Sequence, residues 1–284
     1  MINGSSKLFG VLGHPVAHSL SPAMHNAAFQ ARGINAVYLP LDATDLATAF
    51  AGLKALSFVG ISVTVPHKVA IIPFLDAIEP VAQKIGAVNT LLFHHDVNDA
   101  NGKLLCTGEN TDWLGANQAL AEVIDLAGSS VLVLGAGGAA RAIGFGLQEA
   151  GAQIFLHNRS EERGRLLAAE LGCSFVDTTE VKHVQADVLV NATSAGMEPE
   201  VNIIPLEAEL LAHFQVVMDI VYAPLQTRLL SEAAARGCKT VPGTQMLLYQ
   251  ATAQWRLWLG EEPPTEVMRA ALNEALAGKR KKAK

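Results

Sequence analysis

Apolar positions along the chain come in two rhythms. Short runs, continuous or alternating, predict strands at 7–12, 36–41, 59–65, 87–94, 103–107, 131–134, 153–156, 173–176, 188–191, 216–220 and 239–241. Between them, apolar residues at helical spacing predict helices at 21–32, 45–56, 67–75, 81–85, 112–126, 139–150, 244–259 and 265–276. Ser21 is expected to cap the first helix, with Pro22 at its first position and Gly33 stopping it. Thr111 stands as a cap before Asp112, and Asn98-Asp99-Ala100-Asn101-Gly102 signals a hairpin. After residue 130 strands and helices alternate, which implies a parallel, doubly wound sheet. The fold class is therefore α/β with two domains. Residues 1–111 form the first, 112–243 the doubly wound second, and the helices of 244–284 return to the first, ending in a basic disordered tail at 279–284.

Composition narrows the class. With 284 residues, half of them apolar, the chain can bury two sizeable cores. No apolar run approaches the ~18 residues of a membrane span, and the first residues are short and polar, so no membrane contact and a cytoplasmic protein are expected. Cys106, Cys173 and Cys238 lie far apart and are odd in number, which points to a reducing compartment and no metal cluster. Net charge is −6; without the five basic residues of the last six positions, 16 basic residues face 27 acidic ones. Such a body is no nucleic-acid surface.

The chemistry centres on the stretch Val131 to Arg141, VLVLGAGGAAR. A buried strand runs into Gly135, Ala136, Gly137, Gly138, Ala139 and Ala140, and a helix follows. Gly135 allows the tight turn, Gly137 lets backbone approach a pyrophosphate, and Ala140 is small enough for close helix-to-strand packing. The helix N-terminus favours an anion. A second strand at 153–156 completes a βαβ unit. Where an NAD site places a carboxylate, this strand ends in His157-Asn158-Arg159-Ser160. Arg159 and Arg163 together suit a 2′-phosphate, so NADP is expected. The bland alternative is that Glu161 and Glu162 neutralise Arg163.

A second polar grouping lies near Lys68. It follows Ser62-Val63-Thr64-Val65-Pro66-His67, where alternation sets Ser62 and Thr64 on one side of a strand at its C-terminal end, where α/β proteins place ligands. Asn89 on the next strand, and Asp112 opening the bridging helix, are further polar residues at element ends. Spacing alone does not join them to Lys68. His14 and His18 are four apart, but Pro15 separates them and no third ligand is evident, so no metal site is expected.

The motifs GHPVAHSLSP, SVTVPHK, GAVNT, GENTD, GAGGAAR, NRS, NATSAG, DIVY and MLLYQA, in this order and spacing, resemble the shikimate dehydrogenase family along nearly the whole chain. The resemblance implies NADP-dependent interconversion of 3-dehydroshikimate and shikimate. It implies that the first domain and the C-terminal helices hold the hydroxylated acid and the middle domain holds NADP. Ser19 and Ser21 would hold the carboxylate, with Tyr222 nearby. Ser62, Thr64, Asn89 and Gln250 would surround the ring with Lys68 as acid–base and Asp112 as its partner. Gly135 to Ala140, Asn158, Arg159, Ser160, Arg163, Thr193, Ile220 and Gly243 would line the cofactor. A monomer or homodimer acting on a small-molecule substrate is expected. Two departures stand out: the family often has Asn at Ser62, so space beside the ring is expected there, and Gln245 replaces a glycine near the expected nicotinamide. Alternatives are a quinate or dual quinate/shikimate dehydrogenase, and a non-catalytic NADP(H)-binding sensor.

Overall fold

The computed structural model describes residues 2–96, 99 and 102–282. The chain divides into two compact units, residues 1–111 with 251–284, and residues 112–250.

The first unit holds β1 (Lys7–Gly13), α1 (Ser21–Ala31), β2 (Ala36–Asp42), α2 (Leu46–Ala55), β3 (Gly60–Val63), α3 (His67–Ala70), β4 (Ala77–Ile78), α4 (Pro80–Ile85), β5 (Thr90–His95) and β6 (Leu104–Glu109). Its six strands order β2-β1-β3-β5-β6-β4. β1 runs parallel to β2 and β3, while β5 is antiparallel to both β3 and β6. Alternating residues of the central strands, Leu12, Ile61, Val63, Leu91 and Cys106, feed one core together with Val88, against Phe50, Leu53 and Phe58.

The second unit holds α5 (Asp112–Ala121), β7 (Ser130–Leu134), α6 (Gly138–Glu149), β8 (Gln153–His157), α7 (Glu161–Leu171), β9 (Ser174–Phe175), β10 (Val188–Asn191), β11 (Val216–Asp219), α8 (Arg228–Ala235) and β12 (Lys239–Pro242). Its sheet orders β12-β11-β10-β7-β8-β9, and every pair is parallel. This is the doubly wound order, with its switch point between β7 and β10. Val131 to Leu134 are buried, as a parallel strand covered on both faces must be. The chain ends with α9 (Gly243–Leu259) and α10 (Thr265–Lys282), and α10 packs on α1.

Several local expectations change. Leu20, not Ser21, is the N-cap of α1; Ser21 is its first helical residue and no side chain caps it. The helix expected at 67–75 stops at Ala70, because Pro73 has no N–H to continue it, and a 3₁₀ turn at Ile72–Phe74 follows. Asn89 precedes β5 instead of lying on it, and α5 ends at Ala121 instead of 126. The expected disordered tail is helical through Lys282, since α10 carries on over the basic run. Val97, Asn98, Ala100 and Asn101 of the expected hairpin turn lie outside the described residues, as do Ala283 and Lys284.

Candidate active site

Six of the residues expected around a substrate lie in the first unit. Ser62 sits on β3 opposite Thr90, and Thr64 follows directly, its N–H bonded to the Leu12 carbonyl. The chain then turns at Pro66 into α3, which makes Lys68 the second residue of a short helix whose backbone carbonyl accepts from Val88. Lys68 is half-buried. Its neighbour His67 is buried, and its ring Nε2 lies 2.9 Å from the Ala43 carbonyl. A carbonyl only accepts, so Nε2 carries the proton there. His67 therefore ties α3 to the end of β2 and has its Nε2–H spent.

Asn89 is buried, and its side chain joins two segments. Its Oδ1 accepts from the Thr111 N–H at 2.7 Å and from Thr90 Oγ1 at 2.7 Å; its Nδ2 donates to Thr111 Oγ1 at 3.0 Å. Ser19 and Ser21 flank the start of α1, with the Ser21 N–H donating to Ser19 Oγ at 3.3 Å. Beside them Tyr38, from β2, stacks on His25 with ring centroids 4.5 Å apart. Burial pushes the Tyr38 hydroxyl well above its usual range, against the opposing pull of the Ser62 and Ser21 hydroxyls, so it stays a donor. Burial likewise lowers His25 to about 3, opposed by Gln254, so the imidazole is neutral. Tyr38 and Gln254 both hydrogen-bond to Ser62.

Asp112, Tyr222, Gln250 and all of the expected cofactor residues belong to the second unit. Asp112 opens α5 and is buried. Tyr222, after β11, is half-buried and its phenol is pushed up to about 12 by burial. Gln250 lies on α9, where Nε2 donates to the Leu247 carbonyl.

At the switch point, Gly135 has φ +122°, and a Cβ there would lie 3.0 Å from the Ala192 carbonyl oxygen. Only glycine fits that turn. Gly137, the N-cap of α6, is exposed with open space around it, and no side chain caps the helix. Ala136, Gly138 and Ala139 continue the turn, and Ala140 is fully buried against the sheet. The first-turn amides of α6 thus have no side-chain acceptor of their own.

Beyond β8, Asn158 Nδ2 donates to the Ser160 carbonyl at 2.8 Å. Ser160 is the N-cap of α7, yet its hydroxyl does not cap. Arg159 and Arg163 are exposed, and among the described residues neither has an ion-pair partner. Glu161 is turned to Arg165 at 3.3 Å. The bland reading of Arg163, neutralised by its acidic neighbours, is therefore not what forms.

Three residues that the sequence analysis did not single out brace this region. Asn191, ending β10, accepts at Oδ1 from the Thr193 N–H and hydroxyl, and donates from Nδ2 to Asp219 at 2.9 Å. Asp219, ending β11, also accepts from Thr227 Oγ1 at 2.6 Å and from the Val221 N–H at 3.1 Å. Burial raises its carboxyl to about 6 in spite of these bonds. The cluster fixes the loops that carry Thr193 and Ile220. The available signal was a polar residue closing each buried apolar run, VLVN and VVMD. A Cβ at Gly243 would lie 2.3 Å from the Ile220 carbonyl oxygen, so that glycine packs directly on the second loop. Gln245 is regular helix within α9, and its amide donates to Glu122 at 3.2 Å, where the Tyr249 hydroxyl also donates. No glycine conformation is needed at 245.

Comparison with known proteins places these features in a family. The model of the shikimate dehydrogenase substrate binding domain matches residues 11–91. That of shikimate / quinate 5-dehydrogenase matches 117–206, and that of the shikimate 5'-dehydrogenase C-terminal domain matches 243–272. Shikimate dehydrogenase (NADP(+)) of Moorella thermoacetica is 46% identical over 97% of this chain and 95% of its own. The solved shikimate dehydrogenase of Aquifex aeolicus is 40% identical with TM-score 0.87, over 96% of this chain and 99% of that one. The shikimate 5-dehydrogenase of Thermus thermophilus, solved in complex with NADP(H) and shikimate, is 43% identical with TM-score 0.84, over 95% and 100%. This chain belongs to the shikimate dehydrogenase family.

Proposed function

We propose that this chain reduces 3-dehydroshikimate to shikimate, reversibly, with NADP as the hydride carrier. The observation that carries the reading is local to the second unit. A glycine turn at the switch point, an uncapped helix N-terminus and two guanidiniums without an ion-pair partner among the described residues, with no carboxylate at the end of β8, fit a dinucleotide bearing a 2′-phosphate.

In this reading Gly135 to Ala140 receive the pyrophosphate, and Asn158, Arg159, Ser160 and Arg163 the phosphorylated ribose. Thr193, Ile220 and Gly243 line the remainder, their loops held by Asn191 and Asp219. When bound, NADP supplies or accepts the hydride. Ser19 and Ser21 hold the carboxylate beside Tyr222, while Ser62, Thr64, Asn89 and Gln250 orient the ring. Lys68 gives a proton to the ring oxygen as the carbonyl becomes a hydroxyl, and takes it back in the reverse direction. Asp112 has the role of orienting that ammonium. His67, with its Nε2–H spent on Ala43, does not serve as the acid.

The same reading makes the protein a cytoplasmic monomer or homodimer that binds no nucleic acid; no helix among the described residues is long and apolar enough to cross a membrane. A rate table of shikimate and quinate against NADP and NAD tests it. Turnover of shikimate with NADP is expected to dominate. Cofactor binding without turnover would leave the non-catalytic sensor, and faster quinate oxidation would reassign the substrate.

A further inference from the structure

A single chain of buried hydrogen bonds runs across the first unit, and its direction is fixed. The backbone N–H of Thr111 can only donate, so the side-chain atom of Asn89 that faces it at 2.7 Å is Oδ1. Thr90 Oγ1, 2.7 Å from the same Oδ1, must then give its one proton there. Having given it, Thr90 can only accept from Gln254, at 2.9 Å, so the facing atom of Gln254 is Nε2. The Asn89 carbonyl, 3.3 Å from the same Nε2, demands the same orientation. Gln254 Oε1 is left facing Ser62 Oγ at 2.8 Å, and Ser62 must donate to it. The Ser62 proton is now spent, so the Tyr38 hydroxyl, 2.5 Å away, donates to Ser62.

A hydroxyl has one proton and two lone pairs. In Ser62 the proton goes to Gln254 and one lone pair to Tyr38, which leaves one lone pair. That remaining lone pair is all the hydroxyl has left to offer a ligand. Asparagine, which the family often has here, would offer a donor as well.

We propose that Ser62 meets the substrate ring purely as a hydrogen-bond acceptor, and that Tyr38 and Gln254 are the positioning residues that hold it in that state. The proposal rests on the reading above that Ser62 faces the ring. A consequence for orientation follows from the chemistry. A ketone cannot donate, so the reacting carbonyl of 3-dehydroshikimate does not face Ser62. The group that does is a hydroxyl present in both substrate and product, at ring carbon 4 or 5.

The test is a kinetic panel with NADP on wild type, Ser62→Ala and Gln254→Met. The substrates are shikimate and its 4-deoxy, 4-fluoro, 5-deoxy and 5-fluoro analogues. Fluorine roughly keeps the size of a hydroxyl but cannot donate. In wild type, at one of the two positions, the fluoro and deoxy analogues should both lose roughly ten-fold in kcat/KM. Ser62→Ala should erase that loss at the same position only. Gln254→Met frees the Ser62 proton, so the fluoro analogue should recover over the deoxy one by several-fold. A side chain with a merely structural role would lower all rates together and leave these ratios alone. The proposal is overturned if both fluoro analogues match shikimate in wild type, or if a folded Ser62→Ala keeps every penalty. Should either variant not fold, the wild-type fluoro and deoxy comparison decides without it. Failure of wild type to oxidise shikimate at all would instead remove the functional reading beneath.

Discussion

Asp219→Asn isolates one buried carboxyl and should change how stability depends on pH. The carboxyl is fully buried at the end of β11, with a folded value near 6 against an ordinary 3.8. Because the folded value is raised, the folded state binds more protons than the unfolded state across that interval. Stability contributed by the protonated form is complete below pH 3.8 and is lost as pH rises through about 6. At about 1.4 kcal/mol per pH unit, the interval corresponds to a loss of ~3 kcal/mol between acid and neutral pH. Asparagine reproduces the protonated acid: Oδ1 accepts from Asn191 and the Val221 N–H, and Nδ2 donates to Thr227 Oγ1. Urea unfolding of wild type and Asp219→Asn from pH 4 to pH 8 measures the difference. The variant should gain on wild type steadily up to about pH 6 and then hold a constant lead. Two curves that stay parallel throughout would mean that the carboxyl titrates alike folded and unfolded, and the inference from its burial would be wrong.

Arg159→Ala should raise the NADP Michaelis constant by roughly ten-fold and leave that for NAD nearly unchanged, if the exposed guanidinium recognises the 2′-phosphate as proposed; wild-type enzyme equally efficient with both cofactors would refute this. Lys68→Ala should lower kcat by roughly 10²–10⁴-fold while shikimate binding weakens far less, and His67→Ala should cost stability through its lost bond to Ala43 with kcat within a few-fold of wild type. Stopped-flow and melting measurements on the pair decide it, and the opposite pattern would pass the acid–base role to His67. Asp112→Asn should also lower kcat, since an amide cannot pair with an ammonium as a charge; unchanged kcat would remove Asp112 from the proton step. Ser62→Asn, which must displace the Tyr38 hydroxyl and the Gln254 amide, should lower the melting temperature and sharpen the preference for shikimate over quinate. An unchanged ratio of the two specificity constants would count against the role of Ser62 in selectivity.

The parts of this molecule that declare themselves in sequence are those governed by short-range rules. The βαβ unit around Gly135 is legible because a buried parallel strand, a left-handed glycine and a helix must follow one another within about twenty residues. The place of Arg159 and Arg163, just past the end of β8, is legible for the same reason. The strand ends of the first unit blur for a different reason. Asn89 continues an apolar run, yet its side chain satisfies the Thr111 N–H, and the ladder of β5 starts only at Thr90. Leu20 holds the N-cap position of α1 with no side-chain cap, and the Ser21 N–H turns back to the Ser19 hydroxyl, a local bond that composition does not reveal. The basic run at the end of α10 reads as solvated tail, but lysine and arginine are good helix formers and suit a helix C-terminus, so the helix carries on through Lys282.

Ser62 shows why a residue's type is a poor guide to what it offers a ligand. Read alone, serine for asparagine is the loss of an amide and a gain of space. In the folded chain Gln254, 192 residues later, brings an amide to the same hydroxyl, and Tyr38 covers its other side. Only one end of that amide is available, because Gln254 Nε2 is consumed by Thr90 and the Asn89 carbonyl and only its Oε1 reaches Ser62. That polarity is fixed from two backbone groups: the N–H of Thr111, four hydrogen bonds away from the Ser62 hydroxyl, and the carbonyl of Asn89, which holds Gln254 Nε2 directly. Substitutions at Thr90 or Asn89 should therefore weaken the hold on the Gln254 amide and loosen the choice among ring hydroxyls, even where Ser62 itself is untouched. Thr90→Val is the sharpest case. It removes the link between Asn89 and Gln254 with little change in volume, though the Asn89 carbonyl still favours Nε2. Selectivity among the fluoro analogues should loosen only partly, and full loss would show that Thr90 alone sets the direction.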